Sequence, residues 1–369
     1  MEEVQPRRHA DAAGASAAGK TVVLHIGAPK TGTTFLQQVL WHNRDALARQ
    51  GVGYPLAAPR EHFAATMDLR EATWGGRHEA EWDGAWDRVA ARVRAWSGPR
   101  LVFSNELLGG ATPEQVARAL DSLQPAQVQV VFTLRDLARQ LPSEWQEQVK
   151  HHKLVSFDEL VDELVEQADV GTPPPGAMFW RLHDPIRVLR PWSEAIGPAR
   201  VHVVTVPPAG ASPDVLWHRF ADVVGVDAGS CRLDVGNTNP SLGLVEAELL
   251  RQTNERGQVA GTAANPAQRR YFVRRVLGTR AAARRITLPA RHVEWVRARS
   301  AELVEGIRSA GYPVVGDLAD LQPEVSQPPP GINRVSEQEL LDAALDALAR
   351  LLARPAPSDA PAQLNRGGA

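Results

Sequence analysis

The chain has 369 residues, of which 43% are hydrophobic, enough to bury a large core as one big α/β domain or two smaller ones; a single domain is expected. A formal net charge of -2 gives no overall pull towards nucleic acid or an anionic membrane, so any anion must be recognised locally. The lone cysteine, Cys231, excludes an internal disulfide framework and a cysteine-based zinc site, and it fits a reducing compartment.

Residues 1–20 mix charges with small side chains and read as a disordered tail without the apolar stretch of a secretory signal. Nothing later approaches the ~18 consecutive apolar residues of a membrane span, so a soluble cytoplasmic protein is expected. The segment Thr21 to Leu40, TVVLHIGAPKTGTTFLQQVL, predicts a strand, a phosphate loop and a helix. Gly27 and Gly32 let the backbone turn tightly enough for its N–H groups to converge. Lys30 adds a point charge, and Thr31, Thr33 and Thr34 add hydroxyls, which together make an anion cradle at a helix N-terminus. In a nucleotide triphosphatase loop the lysine follows the last glycine, whereas here Lys30 precedes Gly32 by two residues.

Gly51 to Pro55 reads as a short strand or extended turn. A helix from about Glu79 to Trp96 would place Trp82, Trp86, Val89 and Val93 on one face, as core packing requires. Arg100 to Phe103 is a strand that ends at Ser104-Asn105-Glu106, where open α/β sheets place their chemistry. A helix runs from Thr112 to Leu123 with Pro113 in its first turn. Val128 to Leu134 has the strongest strand pattern in the chain, and it leads into Arg135-Asp136 and a helix that carries Ser143, Trp145 and Lys150.

Ser156 and Glu159 form a capping box for a helix to about Ala168, and Gly171 to Gly176 is a stiff, proline-rich loop. A further helix starts at Asp184-Pro185 and stops before Gly197. Val201 to Val206 is the last clear strand, and residues after Pro208 are mostly helical. Strands alternating with helices predict an α/β fold: a P-loop-like, doubly wound parallel sheet of four to five strands flanked by helices. The expected boundaries are a tail at 1–20, the main domain at 21–320, a proline-rich linker at 321–335, an amphipathic helix at 336–354 and a disordered tail at 355–369. Within that helix Leu341, Leu345, Leu348 and Leu352 share one face, expected to pack on its own domain rather than dimerise, although a homo-oligomer is compatible with the sequence. Seven arginines between Arg269 and Arg285 form the one basic concentration, read as a solvated helix face with an acidic acceptor or a donor phosphate as the alternatives.

The run Pro29-Lys30-Thr31-Gly32-Thr33-Thr34-Phe35 resembles the 5'-phosphosulfate loop of the sulfotransferase family, whose donor is 3'-phosphoadenosine 5'-phosphosulfate (PAPS). In that family a strand ends in arginine and the next helix presents serine eight positions later, the two gripping the donor's 3'-phosphate. Arg135 and Ser143 match this spacing, and a guanidinium makes forked hydrogen bonds to a phosphate. Phe179-Trp180, Asp184 and Trp192 resemble the bacterial branch, as does Asn237 to Leu242, where relatives close over the nucleotide.

The resemblance implies sulfuryl transfer from PAPS to a hydroxyl or amine. Lys30 would stabilise the leaving group, Thr31, Gly32, Thr33 and Thr34 would hold the 5'-phosphate, and Phe35 would lie near the adenine. No metal is expected, because Lys30 and backbone dipoles can neutralise the developing charge. Where the animal cytosolic branch carries Lys-Thr-His, this chain has Ser104-Asn105-Glu106, so Glu106 is the candidate base. His25 is better read as a core histidine, and His151 and His152 as residues lining an acceptor entrance. The acceptor, whether small molecule, carbohydrate or lipid, is open. A P-loop kinase and a non-catalytic nucleotide-binding protein are the alternatives; the lysine position disfavours the first, and an intact Lys30, Arg135 and Glu106 the second.

Overall fold

A computed structural model describes residues 19–168, 178–212, 214–236, 241–261, 265–280, 284–324, 329 and 331–353. Residues 1–18 of the expected N-terminal tail, the whole C-terminal tail, the loop Gly171–Gly176, Asn237–Pro240 and part of the proline-rich linker lie outside the described residues. The chain falls into two compact units, one drawn from spans 1–140, 164–236 and 294–324, the other from 141–163, 237–293 and 325–369. The stretch 21–320 thus contributes to both.

The first unit holds a sheet of six strands, all parallel: β1 (Thr21–His25), β2 (Val52–Gly53), β3 (Arg100–Ser104), β4 (Gln127–Leu134), β5 (Val201–Thr205) and β6 (Val314–Val315), in the order β2-β3-β1-β4-β5-β6. Val22, Leu24, Val130, Phe132, Val203 and Val204 are fully buried, as expected of strands covered on both faces. The α/β class of the sequence reading holds, but the sheet has six strands rather than four or five. The strand not expected is β6, a two-residue ladder too short to show a period in the sequence.

Helices flank the sheet: α1 (Thr33–His42), α2 (Arg44–Arg49), α3 (Glu61–Leu69), α4 (Ala85–Ala95), α5 (Pro113–Ser122), and, after α6 (Leu137–Lys150) and α7 (Phe157–Ala168), which each divide between the two units, α8 (Met178–His183), α9 (Pro185–Ile196) and α10 (Asp214–Val224). Trp82, Trp86, Val89 and Val93 are buried as expected, but the helix expected from Glu79 is interrupted. A 3-10 turn at Ala80–Trp82 ends before Gly84, whose φ of 67° restarts the chain as α4. The helix starts at Pro113 and Pro185 follow their capping residues Thr112 and Asp184. α13 (Val293–Ala310) precedes β6.

The second unit contains α11 (Leu244–Val259), α12 (Pro266–Tyr271) and α14 (Glu337–Leu352). The arginine concentration divides here. Arg269 donates to the carbonyls of Val149 and Lys150, Arg280 pairs with the buried Glu246 at 2.8 Å, and Arg284 pairs with Glu339, while Arg270, Arg274, Arg275 and Arg285 are exposed. On α14 it is Ala343 and Ala347 that are buried, whereas Leu341, Leu345, Leu348 and Leu352 are exposed. The expectation that the leucines pack on their own domain is therefore corrected: small residues are what let α14 approach α11 closely. Among the described residues no helix is long and apolar enough to cross a membrane.

The capping box at Thr112, whose hydroxyl accepts from the Gln115 N–H at 3.3 Å, offers a check on how α5 starts. Thr112→Ala should lower the unfolding free energy by ~1 kcal/mol in urea titration, with Thr112→Ser close to the parent.

Candidate functional site

Because every strand runs the same way, the segments after β1, β3 and β4 emerge at one edge of the sheet. The register aligns them, since His25 pairs with Ser104 on one side and with Val131 on the other. β1 is the inner strand between β3 and β4, so the loop at 26–32 opens where the chain order reverses, the usual ligand crevice of such sheets.

The loop turns its carbonyls away from its mouth. Gly27 O accepts from the backbone N–H and hydroxyl of Thr133, Ala28 O from the Thr31 hydroxyl at 2.5 Å, and Pro29 O from Gln140 Nε2 at 2.9 Å. Lys30 O accepts from Arg135 Nη1 at 3.4 Å, and Gly32 O from the Leu36 N–H. With four consecutive carbonyls engaged from 27 to 30, the groups left to define the cradle are N–H donors. Lys30 adopts φ 63°, unusual for a residue with a side chain, and Gly32 adopts φ 90°, with a Cβ there falling 2.5 Å from Leu216 Cδ2. Gly32 also caps α1, which has no capping side chain and no acidic residue in its first turn. Its first amides therefore present the positive end of the helix dipole to the same mouth.

Each sequence-predicted residue can now be placed. Thr31 is 1% exposed and its hydroxyl closes the loop internally, Thr33 is buried, Thr34 is exposed, and Lys30 and Phe35 are partly exposed. Arg135, at the end of β4, is drawn to the loop through the Lys30 carbonyl, which brings the arginine of the second predicted motif to the first. Its pKa falls to about 10, chiefly through burial and then through the Arg139 charge, with Asp136 opposing. Asp136 is itself held by Arg139 and receives the Arg139 N–H at 2.9 Å, which starts α6. Ser143 lies further along α6 and belongs to the second unit, as do His151 and His152, both exposed.

Glu106 begins a 3-10 turn directly after β3, and its Oε2 accepts from Gln37 Nε2 of α1 at 3.0 Å. The carboxylate is thereby tied to the helix that starts at the cradle. Three further residues around it escaped the sequence reading. Tyr54 is 8% exposed, and burial first, then the Glu106 charge, raises its phenol pKa. Asn105 accepts the Leu107 N–H at 3.0 Å with Oδ1, so its Nδ2 donates to His62 Nδ1 at 2.8 Å. Tyr54 and His62 lie more than forty residues from Glu106 in sequence, and neither sits in a pattern that points to it.

His25 is fully buried and resolves as a core histidine. The Thr133 hydroxyl donates to Gly27 O and therefore accepts from His25 Nε2 at 3.1 Å, leaving Nδ1 to accept from Ser104 Oγ at 2.8 Å. Burial pulls its pKa to about 3, against a weaker hydrogen bond to the Gly27 backbone. Among the described residues no cluster of three or more His, Cys, Asp or Glu side chains could hold a metal ion.

The chain matches no family model, no curated protein and no solved structure. Function must therefore be argued from the geometry.

Two histidines beside the site, His25 and His62, give a pH signature. His62 falls to about 4, through burial first and the Arg60 charge second, with the Pro59 backbone opposing, and His25 to about 3, against 6.5 for each when unfolded. Below 6.5 the unfolded chain binds more protons, so stability is full above that pH and falls as acid is added, by up to ~1.4 kcal/mol per pH unit per histidine. Urea unfolding at pH 6 and pH 5 should show the parent losing more stability than His62→Gln by about one proton's worth. Equal slopes would mean that His62 is not held neutral.

Proposed function

We propose that the chain is a sulfotransferase that moves a sulfuryl group from PAPS to a hydroxyl or amine. The observation that carries the reading is the bond from Arg135 to the Lys30 carbonyl. It joins a strand-end guanidinium to a loop whose carbonyls are withdrawn and whose following helix is uncapped. Such a surface suits a dianionic 5'-phosphosulfate and a separate 3'-phosphate better than it suits a neutral ligand. Arg135 fits an anion for a second reason: burial beside Arg139 costs its cationic form free energy, and a bound phosphate would offset that cost.

In this reading the cradle amides and the Thr33 and Thr34 region hold the 5'-phosphate end, and Arg135 reads the 3'-phosphate. Lys30 precedes the helix and stabilises the bridging oxygen as the sulfur–oxygen bond breaks and its electron pair passes to the phosphate. Glu106 takes the proton of the acceptor as its oxygen or nitrogen bonds to sulfur. The products are then the sulfated acceptor and adenosine 3',5'-bisphosphate. Gln37 orients the carboxylate from α1, which fixes base and cradle on one helix. The donor residues supply the charge that a metal would otherwise bring, so no metal is invoked. The acceptor is a small molecule, a carbohydrate or a lipid.

Adenosine 3',5'-bisphosphate should raise the thermal midpoint in the absence of magnesium, since a ligand that binds only the folded state stabilises it. Stabilisation by magnesium-ATP alone would favour a kinase. Arg135→Ala should remove charge-assisted hydrogen bonds of ~1.5–3 kcal/mol, so discrimination between the bisphosphate and AMP should shrink. Equal weakening of both ligands would withdraw the 3'-phosphate from Arg135.

Glu106→Gln keeps the shape of the side chain and removes its proton-accepting charge. Bisphosphate affinity should survive while turnover with saturating PAPS falls ~10²- to 10⁴-fold. Near-normal turnover would rule out the base assignment.

A further inference from the structure

Two arginines of the first unit are neighbours without an acid between them. Arg70 closes the C-terminal end of α3, and its main chain is fixed: its N–H donates to Thr66 O at 3.1 Å and its carbonyl accepts from Gln115 Nε2 at 2.8 Å. Its guanidinium lies against Gly110, where a Cβ would fall 2.7 Å from Nη2 and 3.1 Å from Cζ. The same Cβ would fall 3.2 Å from Leu182 Cδ2 of α8, and the residue before Leu182 is Arg181. Burial first and the Arg181 charge second pull the Arg70 pKa below its ordinary value, with no carboxylate opposing them. The Arg70 Nε is buried, and it has no hydrogen-bond partner among the described residues.

The acids nearest Arg70 in the chain are engaged elsewhere. Asp68 accepts the N–H groups of Gly84 at 3.3 Å and Trp86 at 2.9 Å and lies 3.8 Å from Arg118, and Glu71 also lies 3.8 Å from Arg118. Arginines that hold this fold together end differently. Arg100 donates to the Val224 carbonyl at 2.9 Å, and Arg219 pairs with Asp320 at 2.6 Å. A partly buried guanidinium beside a second cation loses solvation and gains repulsion, and an oxyanion held between the two reverses both terms.

The position of the pair suggests what carries that oxyanion. Gly110 ends the 3-10 turn that Glu106 begins, about 8 Å further along it. The turn rests on the entry to the cradle loop, since a Cβ at Gly109 would fall 2.8 Å from Ile26 O. α3 spans the same stretch from the other side, with His62 at Asn105 and Arg70 eight residues on, about 12 Å along the helix. We infer that Arg70 and Arg181 form an oxyanion site for an acidic group of the acceptor, a carboxylate, sulfate or phosphate carried about 8–12 Å from the atom that Glu106 deprotonates. The inference rests on the sulfotransferase reading, and it makes the acceptor an anion.

Thermal unfolding of the full chain separates the site from the reading it rests on. With adenosine 3',5'-bisphosphate saturating, inorganic sulfate should raise the parent's midpoint further than sodium chloride of equal ionic strength does. Arg70→Gln and Arg181→Gln should each weaken that sulfate response roughly tenfold or more while keeping the bisphosphate response. Arg181 is exposed, so its variant judges the site should the Arg70 variant fail to fold. A parent that responds to sulfate no more than to chloride overturns the site, as does an Arg181→Gln variant whose sulfate response matches the parent's. Turnover of PAPS with hydroxy acids and with their methyl esters then tests the acceptor. The parent should favour the acids, and both variants should lose that preference through KM with kcat little changed. Equal use of acids and esters by the parent overturns the acceptor assignment. Turnover of none of them fails the sulfotransferase reading and the acceptor assignment with it, while the sulfate response still decides whether the two arginines bind an anion.

Discussion

The Thr133 hydroxyl holds the candidate site together. It donates to the Gly27 carbonyl, accepts from His25 of the neighbouring strand, and lies 2.5 Å from the Thr31 hydroxyl inside the loop. These groups form a polar file, from Ser104 through His25 to Thr31, in a sheet whose buried positions are mostly apolar. A buried donor or acceptor left unmatched costs ~1–3 kcal/mol, so each member is tolerable only because the others are present. The file also links β3, β1, β4 and the loop, which means the shape of the cradle is set from beneath, by the core, before any ligand arrives.

That support explains how the loop can carry unfavourable features. A lysine at φ 63° costs roughly 1–2 kcal/mol, an uncapped helix start leaves donors without partners, and a guanidinium beside a second arginine loses solvation. All three features meet at the mouth of the loop, where Arg135 bonds to the Lys30 carbonyl, and negative charge relieves the second and the third. A turn serving only to connect a strand to a helix would have no reason to concentrate them. The first could be avoided with glycine, the second with serine or aspartate, and the third by exposing Arg135.

The strand, loop and helix of 21–42 were legible in sequence because several signals agree there: β-branched residues, two glycines at turn positions and an apolar helical period. Arg135 and Glu106 were legible for a simpler reason, as charged residues at the ends of apolar strands. What was not legible depended on distance along the chain. Tyr54 and His62 reach the Glu106 neighbourhood through the pairing of β2 with β3, and although Gly51 to Pro55 reads as a short strand, nothing in so short a run says which strand it will pair with. The break at Gly84 was hidden because tryptophans on both sides keep the helical spacing across it. The leucines of α14 were misread because amphipathicity shows which face is apolar but not what covers it; the alanines proved to be the packed side.

The surroundings of Glu106 bear on why a carboxylate rather than an imidazole would serve as base. Two histidines lie at this edge of the sheet, but His25 has both ring nitrogens engaged by Ser104 and Thr133, and His62 gives its Nδ1 lone pair to Asn105. Burial draws both to pKa values of about 3 and 4, where an imidazole is a poor proton acceptor. Tyr54, pushed upward by burial and by the carboxylate itself, stays a phenol and can only donate. Gln37 is likewise a donor towards Glu106. The Tyr54 phenol, the Gln37 amide and the two imidazoles are thus poor proton acceptors, which is what the proposed base assignment of Glu106 requires of them.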